Sequence, residues 1–166
     1  ESRDFDAKLD ARAPLFEEHM QMHIHAHRAD DIFTAVRIAE EFGLDYCVVH
    51  CTQGHLIADR LAKAGVKAFS GPLISDRCKP ELKDSTPATP GVMSKAGVKT
   101  AIVTDHPVIP IQYLPLCAGL AVKAGMDPFD ALRAITINAA EHAGVGDRVG
   151  SLEAGKDADV VVTDGC

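Results

Sequence analysis

MHIHAHRADDIFTAVRIAEEFGLDYCVVHC, residues 22–51, decides the architecture. Its two ends, Met22–Ala26 and Tyr46–His50, are short runs that read as strands, the first of them heavy in histidine. Between them Ile32, Val36 and Ala39 recur at helical spacing, opened by Asp30 or Asp31 and stopped by Gly43. A strand, a helix and a second strand in so short a stretch predict a βαβ unit with its two strands parallel.

The same rhythm continues outward. Upstream, residues 7–19 read as one helix. Downstream, a helix runs through Ile57, Leu61 and Ala64 to Gly65, and Val66–Ser70 is a third strand. Residues 71–91 form a long connection holding Pro72, Pro80, Pro87 and Pro90, a length that favours a functional loop. Val92–Ala96 reads as a short helix and Val98–Thr104 as a fourth strand, followed by a helix around 112–124. Asp127 as N-cap and Pro128 at the first position open another helix. Asn138-Ala139-Ala140-Glu141 reads as a capping box on a further one. In the tail, Gly146, Gly150 and Gly155 mark turns and Asp159–Thr163 reads as a last strand. The fold class is therefore α/β, with four βα units and a β tail. An eight-unit βα barrel takes about 250 residues, so 166 residues correspond to part of one.

Composition narrows the function. The net charge of −7 argues against a nucleic-acid partner, which needs clustered Lys and Arg. No apolar run approaches the ~18 residues of a membrane span, and Glu1–Asp6 is polar, unlike a signal peptide. The five cysteines (Cys47, Cys51, Cys78, Cys117 and Cys166) are odd in number and include no C-x-x-C pair. A reduced, cytoplasmic setting fits them better than a disulfide framework. Six Phe, two Tyr and no Trp are too few for a ring-stacking platform.

The chemistry is in where the polar residues fall. His25 lies at the end of the first strand, His50 at the end of the second and Asp105 at the end of the fourth. In βα barrels the strand C-termini share one face and carry the catalytic groups. Two imidazoles and a carboxylate suit a borderline divalent ion such as zinc, with iron or manganese as alternatives. Spacing alone leaves a hydrogen-bonded structural role open for each. His23, His25 and His27 alternate and so point to one side of the strand. One of them is then a ligand and the others support it or face solvent. Arg77 and Lys79, in the long loop, are positioned to hold a substrate carboxylate or are simply solvated. Cys51 beside His50 reads as a packing residue and His55 as an outer-rim residue. His19 and His142 read as surface residues.

Four stretches carry a resemblance to a known family. His25-Ala26-His27-Arg28-Ala29-Asp30-Asp31-Ile32 looks like the fifth-strand segment of amidohydrolases of the imidazolonepropionase and prolidase-like branch. Val48-Val49-His50-Cys51-Thr52 resembles their sixth strand, and Val103-Thr104-Asp105-His106-Pro107 their eighth. Ala134–Ala140 and Val149–Val162 resemble the C-terminal signature. The resemblance covers nearly the whole chain and is most specific in the last motif.

It implies the C-terminal half of a (β/α)8 TIM-like barrel. Residues 1–145 would be the partial barrel and 146–166 a β segment of a small composite sandwich domain. It also implies that His25 and His50 bind metal and that Asp105 is both ligand and general base in hydrolysis of a C–N bond. His27, His106 and Arg77 would support the metal site or meet the substrate. The family's first-strand H-x-H and fourth-strand lysine have no counterpart in these residues. The expected partners are a small-molecule substrate and either a missing N-terminal half or a second copy. The expectation is thus a metal-dependent amidohydrolase with little activity in these residues alone. The alternatives are a non-catalytic half-barrel that self-associates and a metal-binding module without turnover.

Overall fold

A computed structural model describes residues 5–18 and 20–164. His19 and Cys166 lie outside them. The core is a four-stranded parallel sheet in the order β1-β2-β3-β4. The strands are β1 (Met22–Ala26), β2 (Tyr46–His50), β3 (Lys67–Ser70) and β4 (Lys99–Ile102). All four expected strands are present, and the first two match residue for residue. The third and fourth are trimmed by one to two residues at their ends, within the usual latitude of such boundaries.

Helices cover one face of the sheet. The principal ones are α3 (Ala29–Glu41), α4 (Ala58–Lys63) and α5 (Thr89–Lys95). Ile32, Ala35, Val36 and Ala39 of α3 are buried, the one-sided stripe that helical spacing produces. Ile32 and Val36 pack with Val48, Leu61, Ala68 and Met93 in the main core. Next to it, α6 (Leu114–Lys123) and α7 (Pro128–Ala134) bury Cys117, Ala121, Ala131 and Ala134 around Ile102. Asp127 caps α7 as expected, its Oδ1 accepting from the amides of Phe129 at 2.9 Å and Asp130 at 3.1 Å.

The opposite face carries Cys47, Val49, Phe69 and Ala101. It is covered in part by α8 (Ile137–His142), whose Ala139 packs there.

Several expectations need correction. Helix α3 begins at Ala29, before either Asp30 or Asp31, because its Ala29 amide donates to Gln53 Oε1 at 2.8 Å. A distant side chain thus supplies the cap, while Arg28 holds both carboxylate oxygens of Asp30. The single helix over 7–19 is two short ones, α1 (Ala7–Asp10) and α2 (Pro14–Glu17). Pro14 has no N–H to continue a helix, so it starts the second.

Helix α5 begins at Thr89, three residues before the expected Val92. Asn138 forms no capping box. It lies inside α8 and donates instead to the carbonyl of Thr100 at 2.9 Å. Asp159–Thr163 is not a strand. Residues 157–163 are irregular, and the Asp157 amide bonds the carbonyl of Arg148 at 2.8 Å without extending into a ladder. Val161 and Val162 are almost fully exposed. Among the described residues no helix is long and apolar enough to cross a membrane.

His142, expected at the surface, is fully buried. Its Nε2 bonds the carbonyl of Lys99 at 3.0 Å, and its ring meets Phe69 edge-on at 5.1 Å. Among the described residues its Nδ1 has no hydrogen-bond partner. Burial is the main reason that its pKa lies below the usual histidine value. The folded state therefore binds fewer protons than the unfolded one. Its stabilising contribution is complete above the unfolded pKa of about 6.5 and is lost progressively as pH falls below it. Thermal melts at pH 7.5 and 5.5 should show acid destabilisation, and His142→Leu should shrink the difference. The remainder should come from groups such as His27, which is shifted in the same direction. An unchanged difference in the variant would show that His142 does not carry the effect.

Candidate active site

The site lies beyond the C-terminal ends of the strands. Parallel pairing sets its first element, with His25 level with Val49 and Ala26 level with His50. Neighbouring strands run about 4.8 Å apart, so His25 projects beside Val49, one residue before His50. Alternation would send His50 to the face opposite Val49. Its backbone instead takes φ +71°, and Cys51 follows at φ +48°. These left-handed values end the strand, and the ring of His50 emerges over the sheet edge.

His25 Nδ1 and His50 Nε2 are 3.0 Å apart, with the rings edge to face. The other nitrogen of His50, Nδ1, donates to the carbonyl of Gly71 at 2.9 Å. That bond places the proton on Nδ1 and leaves the Nε2 lone pair free to accept from His25 or to bind a metal. Two imidazoles on one tetrahedral ion have nitrogens about 3.3 Å apart, given metal–N bonds of about 2.05 Å. The observed pair fits this requirement closely.

The third expected ligand is less tightly placed. Asp105, also left-handed at φ +55°, lies three residues past the end of β4. It lines two cavities, one shared with His27 and His50 and the other with His23 and His25. Among the described residues no three His, Cys, Asp or Glu side chains are close enough together to hold an ion. The structure thus brings together a pair of donors, with a carboxylate at the boundary between their cavities.

His27 follows the last residue of β1. Its ring stacks on His50 at 4.4 Å, and its Nδ1 meets Thr52 Oγ1 at 2.8 Å. Burial, and secondarily His50, lowers its pKa and favours the neutral ring. His23 and His106 line the second cavity, on the open face of the sheet. His55 bonds the hydroxyl of Thr89 at 2.9 Å. Cys51 is fully buried and its thiol is pushed up to about 12, so it packs as a small hydrophobe.

The first cavity holds about 250 Å³, roofed by the 71–91 loop through Leu73, Lys79, Leu82 and Thr86. Arg77 is not part of its lining. It donates to the carbonyl of Ser85 at 2.9 Å within the loop. Gln53 ties the loop down, donating to Asp84 at 2.7 Å.

Sequence reading missed Gly71, Thr52 and Gln53. Gly71 carried one signal, a glycine just after a strand. The structure shows its necessity: at φ +141° a Cβ would lie 2.1 Å from the carbonyl oxygen of Val103. Gly71→Ala should therefore destabilise the fold by about 1–3 kcal/mol or more, as measured by denaturant unfolding. It should also shift the ring ¹⁵N resonances of His50. An alanine variant with unchanged stability and an unchanged His50 spectrum would contradict this role for the backbone contact.

Comparison with known proteins places this arrangement. The model of the amidohydrolase family matches residues 15–165. A crystal structure of an amidohydrolase from Thermotoga maritima superposes with TM-score 0.88 at 41% identity, covering 96% of this chain and 42% of that one. An imidazolonepropionase from Thermoplasma volcanium is 43% identical over 77 residues, 44% of this chain and 19% of that protein. An adenosine deaminase from Xanthomonas campestris, solved with bound zinc, matches with TM-score 0.63 at 26% identity, over 90% of this chain and 38% of that one. The chain thus spans less than half the length of each of these relatives. With a match that runs through both histidine strands, Asp105 and the tail, the chain belongs to the amidohydrolase family.

Proposed function

We propose that this chain forms part of a metal-dependent amidohydrolase that cleaves a C–N bond in a small amide, cyclic amide or dipeptide-like substrate. The observation that carries the reading is the 3.0 Å approach of His25 Nδ1 to His50 Nε2, beside a cavity that Asp105 also lines. The imidazolonepropionase and the zinc-bound deaminase among its relatives support the reaction class and the metal. The free, buried thiols of Cys47, Cys51 and Cys117 suit a reducing, cytoplasmic setting.

In this reading His25 and His50 hold a divalent ion, zinc by donor type, with iron and manganese as alternatives. When bound, such an ion supplies Lewis acidity and brings the pKa of water toward about 7. Asp105 acts as general base, taking the proton of the attacking water and handing it to the leaving nitrogen. Gly71 keeps the tautomer of His50 fixed throughout. His27, neutral and stacked on His50, supports the ligand ring and faces the substrate. His106 meets groups entering from the open sheet face. Arg77 acts indirectly, by shaping the loop.

Ligand number sets how much of this chemistry residues 1–166 perform by themselves. A hydrolytic site usually keeps three protein ligands and one open position. Two imidazoles and a carboxylate that also serves as base fall short of that. We therefore read residues 1–145 as one part of a larger barrel and 146–166 as a segment of a small β domain. The remaining ligands come from polypeptide outside this chain.

Residues 1–166 with added zinc or manganese should show little turnover of N-acyl amino acids, Xaa-Pro dipeptides or cyclic ureides. Supplying the rest of the protein should restore tight metal binding and hydrolysis together. In that active form, Asp105→Asn should lower kcat by about 10²- to 10⁴-fold, and His50→Ala should weaken metal binding in equilibrium dialysis. Robust turnover by residues 1–166 alone would sink the claim that ligands come from elsewhere.

A further inference from the structure

We propose that the cavity at the strand ends takes substrates with a carboxylate near the scissile amide, and that Lys79 recognises that carboxylate. The inference rests on the hydrolase reading above and narrows its substrate class to N-acyl amino acids and dipeptide-like acids.

The sequence offers two neighbouring cations in the long loop, and the structure separates them. Arg77 is committed to the carbonyl of Ser85 and lies outside the cavity lining. Lys79 lies in that lining, together with His27, His50 and Asp105. The ion pairs of the described residues engage Arg28, Arg37, Lys67, Lys99, Arg148 and Lys156. Lys79 is in none of them, so among the described residues its ammonium has no carboxylate within ion-pair distance.

The backbone that carries Lys79 is held in place. Its carbonyl accepts from the Leu82 amide at 3.0 Å, closing a single turn over Pro80–Leu82. The Gln53–Asp84 bond anchors the segment that follows.

Charge and size favour an anionic group here. The chain carries a net charge of −7, so its general field repels anions and a binding site for one needs a local cation. The other ionised group on the loop side of the cavity is Asp76. It accepts a hydrogen bond from the Cys78 thiol, whose pKa rises as a result. Leu73, Leu82 and Val108 make the rest of the wall apolar, and charges interact more strongly beside apolar walls than in open water. A substrate without a charge would cover the Lys79 ammonium and give it no partner. A carboxylate would meet it with a charge-assisted hydrogen bond. The volume, about 250 Å³, lies just below the usual range of ligand pockets and suits a small ligand such as an acylated amino acid.

The test compares N-acetyl-L-alanine with N-acetyl-L-alanine amide on the metal-loaded whole protein. Wild type and the Lys79→Met and Lys79→Arg variants are assayed for turnover, and binding of both compounds is followed by NMR titration. The wild type should prefer the acid. In Lys79→Met the ratio of kcat/KM for the acid over the amide should fall about 10- to 100-fold, with the change in KM and not in kcat. Lys79→Arg should restore most of it.

Equal turnover of acid and amide, insensitive to Lys79, would overturn the inference and leave the hydrolase reading standing. No turnover of either compound would count against the hydrolase reading, and the binding titrations would then decide the role of Lys79. A preference for a cationic analogue, lost on Asp76→Asn, would assign recognition to Asp76 and overturn the proposal.

Discussion

The approach of Gly71 to Val103 connects the parts of the site. Where β3 leaves the sheet, the chain passes so close to the end of β4 that no side chain fits between them. That closeness brings the Gly71 carbonyl within 2.9 Å of His50 Nδ1, on the neighbouring strand. One small residue thereby couples the exits of β2, β3 and β4. His50 cannot choose its tautomer freely, because the carbonyl takes the proton on one side of the ring and leaves the other nitrogen bare. The sheet register then delivers His25 to that bare nitrogen. A shift of one residue between β1 and β2 would put Ile24 or Ala26 there, since alternation leaves no intermediate.

The strand exits carry strain that the surrounding packing has to hold. His50, Cys51 and Asp105 all adopt left-handed backbone, which costs a non-glycine residue of the order of 1 kcal/mol or more. Cys51 is locked by burial, and the amide that follows His50 bonds back to Ala26 at 3.0 Å. Gly54 lies so close beneath that a Cβ there would meet the Met93 sulfur at 2.4 Å and the Cys51 sulfur at 2.8 Å. The helix layer thus presses against the turn that sets the direction of His50. Packing on one side of the sheet maintains an unfavourable backbone on its rim, where the candidate site lies.

The repeating part of the fold was legible in the sequence, and so were candidates for the site. Strand and helix periods are local properties, so β1 and β2 could be read to the residue. His25, His50 and Asp105 could be picked as candidates because residues of metal-binding type recur at corresponding points of successive units, and the structure brings the two histidines together. What could not be read depends on contacts between distant segments. Gln53 caps a helix that begins 24 residues before it. Asn138 matches a local capping pattern but is drawn to the carbonyl of Thr100. Arg77 and Lys79 are equivalent as letters, and only the path of the loop separates them. His142 was misread because a single histidine among alanines gives no sign of which side of its helix meets the sheet.

The two donors also differ in their surroundings, and this bears on what the site can do. His50 is 7% exposed, enclosed by the helix-bearing side of the molecule, whereas His25 is exposed. On the side of His25 the sheet presents Val49, Phe69 and Val103 to a cavity of about 410 Å³ rimmed by His23, His106 and Asp105. Water that reaches His25 from there weakens every electrostatic interaction at the site, since attraction between charges falls as the effective dielectric rises. Val49 and Phe69 are nonetheless buried, so the opening exposes the histidine rim of the cavity and not the core.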